Sequence, residues 1–288
     1  MKGSVPRIAG SVLLAAAGLL ASCALRKEPA FEIRLKVSRQ YLAAGDFQRA
    51  INFYQSVFLK YPEEAQVRNE YAGALDQMKR DADQALRDGD YSGAEKTYLI
   101  LLKNYPLFKE LEQGFSFRLP LLEQRTQECR KALAEKRAWQ SLQAGDFQKT
   151  FEAYRIPGAE GIKDPDLMTG YRYALEEVKR QADAAMARKD FRTAGKGYAA
   201  LLQEYSSAQK TGQPPSFSLK SLEEGLDNCR IQITRMGLEE YRKGNLKTAI
   251  ALWQILLEFD PGNAEIQKAV ETATEQLKKL KKDAPEKK

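Results

Sequence analysis

Apolar residues along most of this chain recur at helical spacing. Phe47, Ala50, Tyr54, Val57 and Phe58 lie at +3, +7, +10 and +11 from the first, which places them on one helix stripe. Tyr91, Ala94, Tyr98, Leu101 and Leu102 repeat the spacing. Ahead of each stripe stands a short polar break: Gly45-Asp46, Gly89-Asp90, Gly145-Asp146, Lys189-Asp190 and Gly244-Asn245. Glycine takes the left-handed conformation that ends one helix, and Asp or Asn caps the next. The pattern therefore predicts an all-α chain of five helix-turn-helix repeats, centred near 45, 89, 145, 189 and 244. Nine residues after each break stand Tyr54, Tyr98, Tyr154, Tyr198 and Trp253. At these stripe positions they are expected to pack rather than to form a stacking platform.

The breaks are spaced 44, 56, 44 and 55 residues apart, and summing neighbours gives 100, 100 and 99. Residues 71–130 and 171–230 align without gaps at 23 identities in 60, among them Tyr71/Tyr171, Lys79/Lys179, Arg80/Arg180, Phe117/Phe217 and Cys129/Cys229. The repeating unit is thus a double one of about 100 residues. Its extra length falls in helices over 64–88 and 167–188 and in loops at 106–118 and 206–217, which helices over 119–144 and 218–243 follow. Long helices should alternate with short ones. Pro62, Pro106 and Pro261 are expected to stop or redirect the chain after three of them.

The Gly-Asp/Asn-Tyr/Phe core resembles the tetratricopeptide repeat (TPR) family, with its Ala three residues on, an aromatic four further and a Pro closing the second helix. The resemblance covers roughly residues 35–275. It implies a TPR-like solenoid of antiparallel helices whose concave face binds protein or peptide partners. The spacing departs from the family's ~34-residue period.

The N-terminus reads as an address. Lys2 and Arg7 precede an apolar run from Ile8 to Leu20, too short for a bilayer span of about 20 residues. Leu20-Ala21-Ser22-Cys23 resembles the lipobox of bacterial lipoproteins. Residues 1–22 are then a signal peptide, Cys23 an acylated anchor and 23–30 a tether, with the solenoid over 31–277. Ala24, rather than Asp, resembles the sorting pattern for an outer-membrane protein facing the periplasm.

Charge and chemistry narrow the function. The chain has no histidine, which removes His-based triads, metal sites and general bases. Net charge is +7, +5 without Lys2 and Arg7, and the segment 278–288 alone carries +4, so the body is nearly neutral. That distribution does not fit a nucleic-acid partner. The Lys-rich segment reads as a disordered tail, or as one that touches anionic headgroups or envelope polymers. Cys129 and Cys229 hold equivalent positions in successive units, so buried free thiols are expected rather than a disulfide. No catalytic, cofactor or metal site is expected.

Three features invite function. The third repeat breaks after Tyr154 at Arg155-Ile156-Pro157-Gly158, so its second helix should stop early. Ile156, Pro157 and Gly158 then mark a notch where a partner docks, or simple repeat decay. Lys79, Arg80 and Asp83 recur as Lys179, Arg180 and Asp183. They either meet an acidic partner or pair within their helices, with Asp76 and Glu176 facing Arg80 and Arg180. Ser116-Phe117 and Ser216-Phe217, with Leu119 and Leu219, either act from the long loops or fold back to seal them. The combined expectation is a non-catalytic protein-interaction scaffold in the bacterial envelope. It would hold other envelope proteins through the solenoid and the membrane through Cys23, serving outer-membrane or export-complex assembly. The alternative is a factor that binds or processes peptidoglycan or polysaccharide.

Overall fold

A computed structural model of the chain describes residues 30–155, 164–210 and 214–283. Cys23 and the Ile156-Pro157-Gly158 notch lie outside the described residues. Those described form eleven α-helices and a 3-10 turn, with no strand. They run α1 (Ala30–Ala43), α2 (Phe47–Lys60), α3 (Ala65–Arg87), α4 (Tyr91–Phe108), the 3-10 turn (Lys109–Gly114), α5 (Leu119–Gln143) and α6 (Phe147–Arg155). Then follow α7 (Pro165–Ala187), α8 (Phe191–Gln209), α9 (Leu219–Arg242), α10 (Leu246–Leu257) and α11 (Ala264–Asp283). The chain divides into two compact units, up to Tyr71 and from Ala72, the boundary falling inside α3.

One turn is used five times. The Asp or Asn amide donates to the carbonyl five residues back at 2.9 Å in every copy: Asp46 to Tyr41, Asp90 to Ala85, Asp146 to Ser141, Asp190 to Ala185 and Asn245 to Glu240. Gly45, Gly89, Gly145 and Gly244 make this possible with φ between 71° and 80°, and Lys189 adopts 63° in the fourth copy. The Asp46, Asp90, Asp146 and Asp190 carboxylates then cap the next helix, accepting from the backbone amide three residues on.

The first unit packs α1 on α2 around Leu35, Ile51, Tyr54 and Tyr71. In the second, α4 to α11 each pack on the neighbour in sequence, and helices two apart also meet: α5 with α7, α6 with α8, α8 with α10. That is the contact pattern of an all-α solenoid. From α3 onward the first helix of each pair has 23 to 25 residues and the second 9 to 19, so long and short alternate. In the first pair both have 14.

Three boundaries differ from expectation. Pro106 does not stop its helix: α4 continues to Phe108, and the 3-10 turn follows. An interior proline costs about 3 kcal/mol. Here Tyr105, Phe108, Phe115 and Phe117 form a buried aromatic cluster, each ring worth roughly 1.5–3 kcal/mol on burial, which outweighs it. By the same logic α8 runs on to Gln209, anchored by buried Ala208. The Lys-rich segment is not all tail, because α11 carries the helix on through Asp283. Its apolar stripe, with Ile266 and Ala273 buried, pins the helix, and Lys278 and Lys279 lie exposed along it.

Candidate functional site

Each second-helix tyrosine lies beneath a gap between first helices, and what fills that gap decides whether the copy has a groove. In copy one, Arg39 of α1 reaches across to α3 and bonds both oxygens of Glu70, at 2.8 and 2.6 Å. Its third bond goes to Glu32 at 2.8 Å, and the Tyr54 hydroxyl donates to Glu70 at 3.3 Å. In copy two, Tyr98 donates to Asp83 at 2.5 Å, and Lys79 pairs with the same carboxylate at 2.7 Å. Copy four repeats this: Tyr198 donates to Asp183 at 2.8 Å, Lys179 pairs with Asp183 at 2.7 Å, and its ammonium lies 5.8 Å from the Tyr198 ring centre.

Copy three lacks all of it. Counted back from the turn, the position of Lys79 and Lys179 is Glu135, and that of Arg39, Asp83 and Asp183 is Trp139. Across the gap, Gly170 stands where copy one has Glu70, and Tyr173 where it has Gly73. The outcome is an open groove of about 410 Å³ between α5 and α7, floored by Thr150 and Tyr154 of α6. Trp139 and Tyr173 form its walls at 53% and 59% exposure. Ala138, Leu142, Thr169 and Ala174 complete the lining, and Glu135 is its one charged residue. Burial, then the Glu135 carboxylate, pushes the Tyr154 phenol up to about 12. Gly170 keeps the groove deep: a Cβ there would come within 3.0 Å of the Tyr154 ring edge and hydroxyl.

The described part of α6 ends at Arg155. Arg155 forms an ion pair with Glu204, a carboxylate only 5% exposed on α8 that also accepts the Tyr171 hydroxyl at 2.8 Å. The residue one hundred positions earlier, equivalent to Glu204 in the preceding double repeat, is Asn104, so the buried charge is particular to α8.

The other residues singled out from the sequence serve the fold. Lys79 and Lys179 pair within their helices, whereas Arg80 bonds Gln77 and Arg180 bonds Glu177. The expected Asp76–Arg80 and Glu176–Arg180 pairs are replaced. Asp76 accepts the Ser116 amide and hydroxyl at 2.8 and 2.7 Å, and Glu176 accepts those of Ser216 at 2.7 and 2.6 Å. Two carboxylates thus clamp the long loops from forty residues away. Phe117 folds into the core and Phe217 packs against Tyr205, but Leu119 and Leu219 stay exposed. Cys129 and Cys229 are buried free thiols, pushed up by desolvation to about 11 and about 12. A larger concavity of about 720 Å³ lies beside the third turn, but its cations Arg192 and Lys196 are both bound to Glu258. Among the described residues no acid or thiol cluster has the makings of a metal site, and no helix is long and apolar enough to cross a membrane.

The chain matches no protein-family model and no curated protein. Among solved structures, it is similar to a circular tandem repeat protein described as having a novel repeat topology and enhanced subunit contact surfaces. That match has 18% identity and a TM-score of 0.22, covering 86% of this chain and 63% of the other.

Proposed function

We propose that this protein is a non-catalytic interaction scaffold of the bacterial envelope, a TPR-like lipoprotein held to the outer membrane by acylated Cys23. Its docking site for other envelope proteins is the α5–α7 groove. The observation that carries the reading is the groove itself. Of the four tyrosine-floored copies, three are closed by their own charged side chains, and the third presents two exposed aromatic rings instead. Large solvated aromatics are costly to leave bare and are the side chains that anchor protein interfaces. The lipobox-like Leu20-Ala21-Ser22-Cys23 supports the anchor.

Affinity capture from envelope membranes tests both parts. Proteins retained by the native chain and by a Leu59→Ala variant of the first unit should be lost when Trp139 and Tyr173 are both replaced by alanine. Cys23→Ala should move the protein out of the membrane fraction. An unchanged capture profile would remove the groove from the reading, and an unchanged membrane fraction would remove the anchor. The second reading, binding of an envelope glycan, draws on the same two rings, since sugar faces stack on Trp and Tyr. Retention on peptidoglycan that depends on Trp139 would favour it.

A further inference from the structure

We infer that the α5–α7 groove binds an arginine or lysine side chain carried on an extended segment of a partner protein, with Glu135 as its counter-ion and Trp139 and Tyr173 as its walls. The inference rests on the groove being a docking site, and adds what it recognises.

The closed copies show what occupies this position. Each holds a cation supplied by the chain itself: Arg39 in copy one, Lys79 in copy two, Lys179 in copy four. Each cation meets a carboxylate that also takes the tyrosine hydroxyl. Copy three keeps the tyrosine and a carboxylate but reverses the sign at the lysine position, where Glu135 stands. No basic residue lines the groove, and among the described residues Glu135 makes no ion pair. Of the three partners, tyrosine, carboxylate and cation, the cation is the one that no residue lining the groove supplies.

The walls suit the same guest. Cations sit over ring faces elsewhere in the protein: Arg49 over Tyr41, Lys60 over Tyr61, Lys136 over Tyr91 and Lys179 over Tyr198, at 5.5 to 5.8 Å. Among the described residues none covers Trp139 or Tyr173, although indole is the best face for a cation. A guanidinium between these rings would satisfy both quadrupoles and Glu135 at once. A single carboxylate matches a single basic side chain. The apolar remainder of the lining (Ala138, Leu142, Ala174) fits a peptide's neighbouring side chains better than a polyamine, which would need several acids.

The chain has two tryptophans, and Trp253 is buried, so the Trp139 indole N–H is a separate reporter with an internal reference. The full chain in detergent, labelled at its indoles, is titrated with N-acetyl-arginine methylamide or its lysine counterpart, and with the uncharged citrulline counterpart. A saturable shift of Trp139 alone is expected with a cationic probe. It should be at least tenfold weaker with citrulline, several-fold weaker in Glu135→Gln and absent in Glu135→Lys, which supplies the missing cation internally. Glu135 is exposed, so both variants should melt as the native chain does. An equal response to citrulline, an equal response to a chitin oligomer, or an undiminished response in Glu135→Gln would each overturn the inference. If Glu135→Gln still captures every partner that Trp139→Ala loses, the groove docks proteins but not through a cation.

Discussion

Asp83 accepts the Tyr98 hydroxyl at 2.5 Å while Lys79 grips the same carboxylate at 2.7 Å. Burial disfavours the charged form of Asp83, but the Lys79 ammonium and the Tyr98 hydroxyl together outweigh it, so the carboxyl titrates below its ordinary 3.8. A depressed folded pKa gives stability that is fully present above the ordinary value and is lost as pH falls through the folded one. Asp83→Asn should therefore lower stability at pH 7 by about 1–3 kcal/mol, and the gap to the native chain should narrow below about pH 4. Urea melts at both pH values check this. A gap that stays constant would mean the pair contributes only shape.

The loop clamps should act locally. Replacing Asp76 by alanine removes both acceptor bonds to Ser116, in an exposed setting where about 1 kcal/mol is expected. The sharper reading is hydrogen exchange. The Ser116 amide should lose its protection while the α4 core keeps its own, and Glu176→Ala should do the same to Ser216.

Gly237 of α9 is pressed against Trp253: a Cβ would come within 2.2 Å of the indole nitrogen and 2.6 to 2.7 Å of two ring carbons. Alanine is the better helix former by about 1 kcal/mol, but overpacking costs about 1–3 kcal/mol. The wide Trp ring is boxed in at 3% exposure and has little room to yield. Gly237→Ala should lower the midpoint of thermal unfolding. A rise would show that the ring can move.

At the fourth turn the sign reverses. Lys189 holds φ 63°, where an L side chain is strained by about 1–2 kcal/mol and the other turns place glycine. Lys189→Gly gives back part of that gain through the freer unfolded chain. The net expectation is about 0.5–1 kcal/mol of stabilisation, read from the denaturation midpoint.

The turns and the helices were legible because each depends on local chemistry: Gly-Asp needs only its own backbone, and a stripe such as Phe47, Ala50 and Tyr54 announces itself by spacing. Burial of Tyr54, Tyr98, Tyr154, Tyr198 and Trp253 followed from the same stripes. Pro106 misled because its penalty is local whereas the aromatic cluster that offsets it closes only in three dimensions. Glu176 misled for a similar reason. Arg180 is four residues on, yet Ser216, forty away, takes the carboxylate and Glu177 takes the arginine. The groove was harder still. Its residues Glu135, Trp139, Gly170 and Tyr173 are spread over two helices, whereas Ile156, Pro157 and Gly158, which the break after Arg155 pointed to, lie outside the described residues. The first four could have been found by comparing copies position by position, counting back from each turn.

Buried thiols give a chemical check on the packing. With Cys129 and Cys229 pushed up to about 11 and about 12, almost no thiolate exists at pH 8. Both peptides should stay unmodified by iodoacetamide in the folded chain and react fully in guanidinium, as followed by mass spectrometry. Modification of either while the chain is folded would reveal opening of α5 or α9.

The Arg39–Glu70 fork closes in copy one the gap that Trp139 and Gly170 leave open in copy three, beside the same Gly-Asp turn. An array built this way sets its valency by side chains rather than by length. Exchanging two or three residues per copy would switch a socket on or off while the helices around it stay put, so such a chain can gain or shed partners without gaining or shedding a repeat.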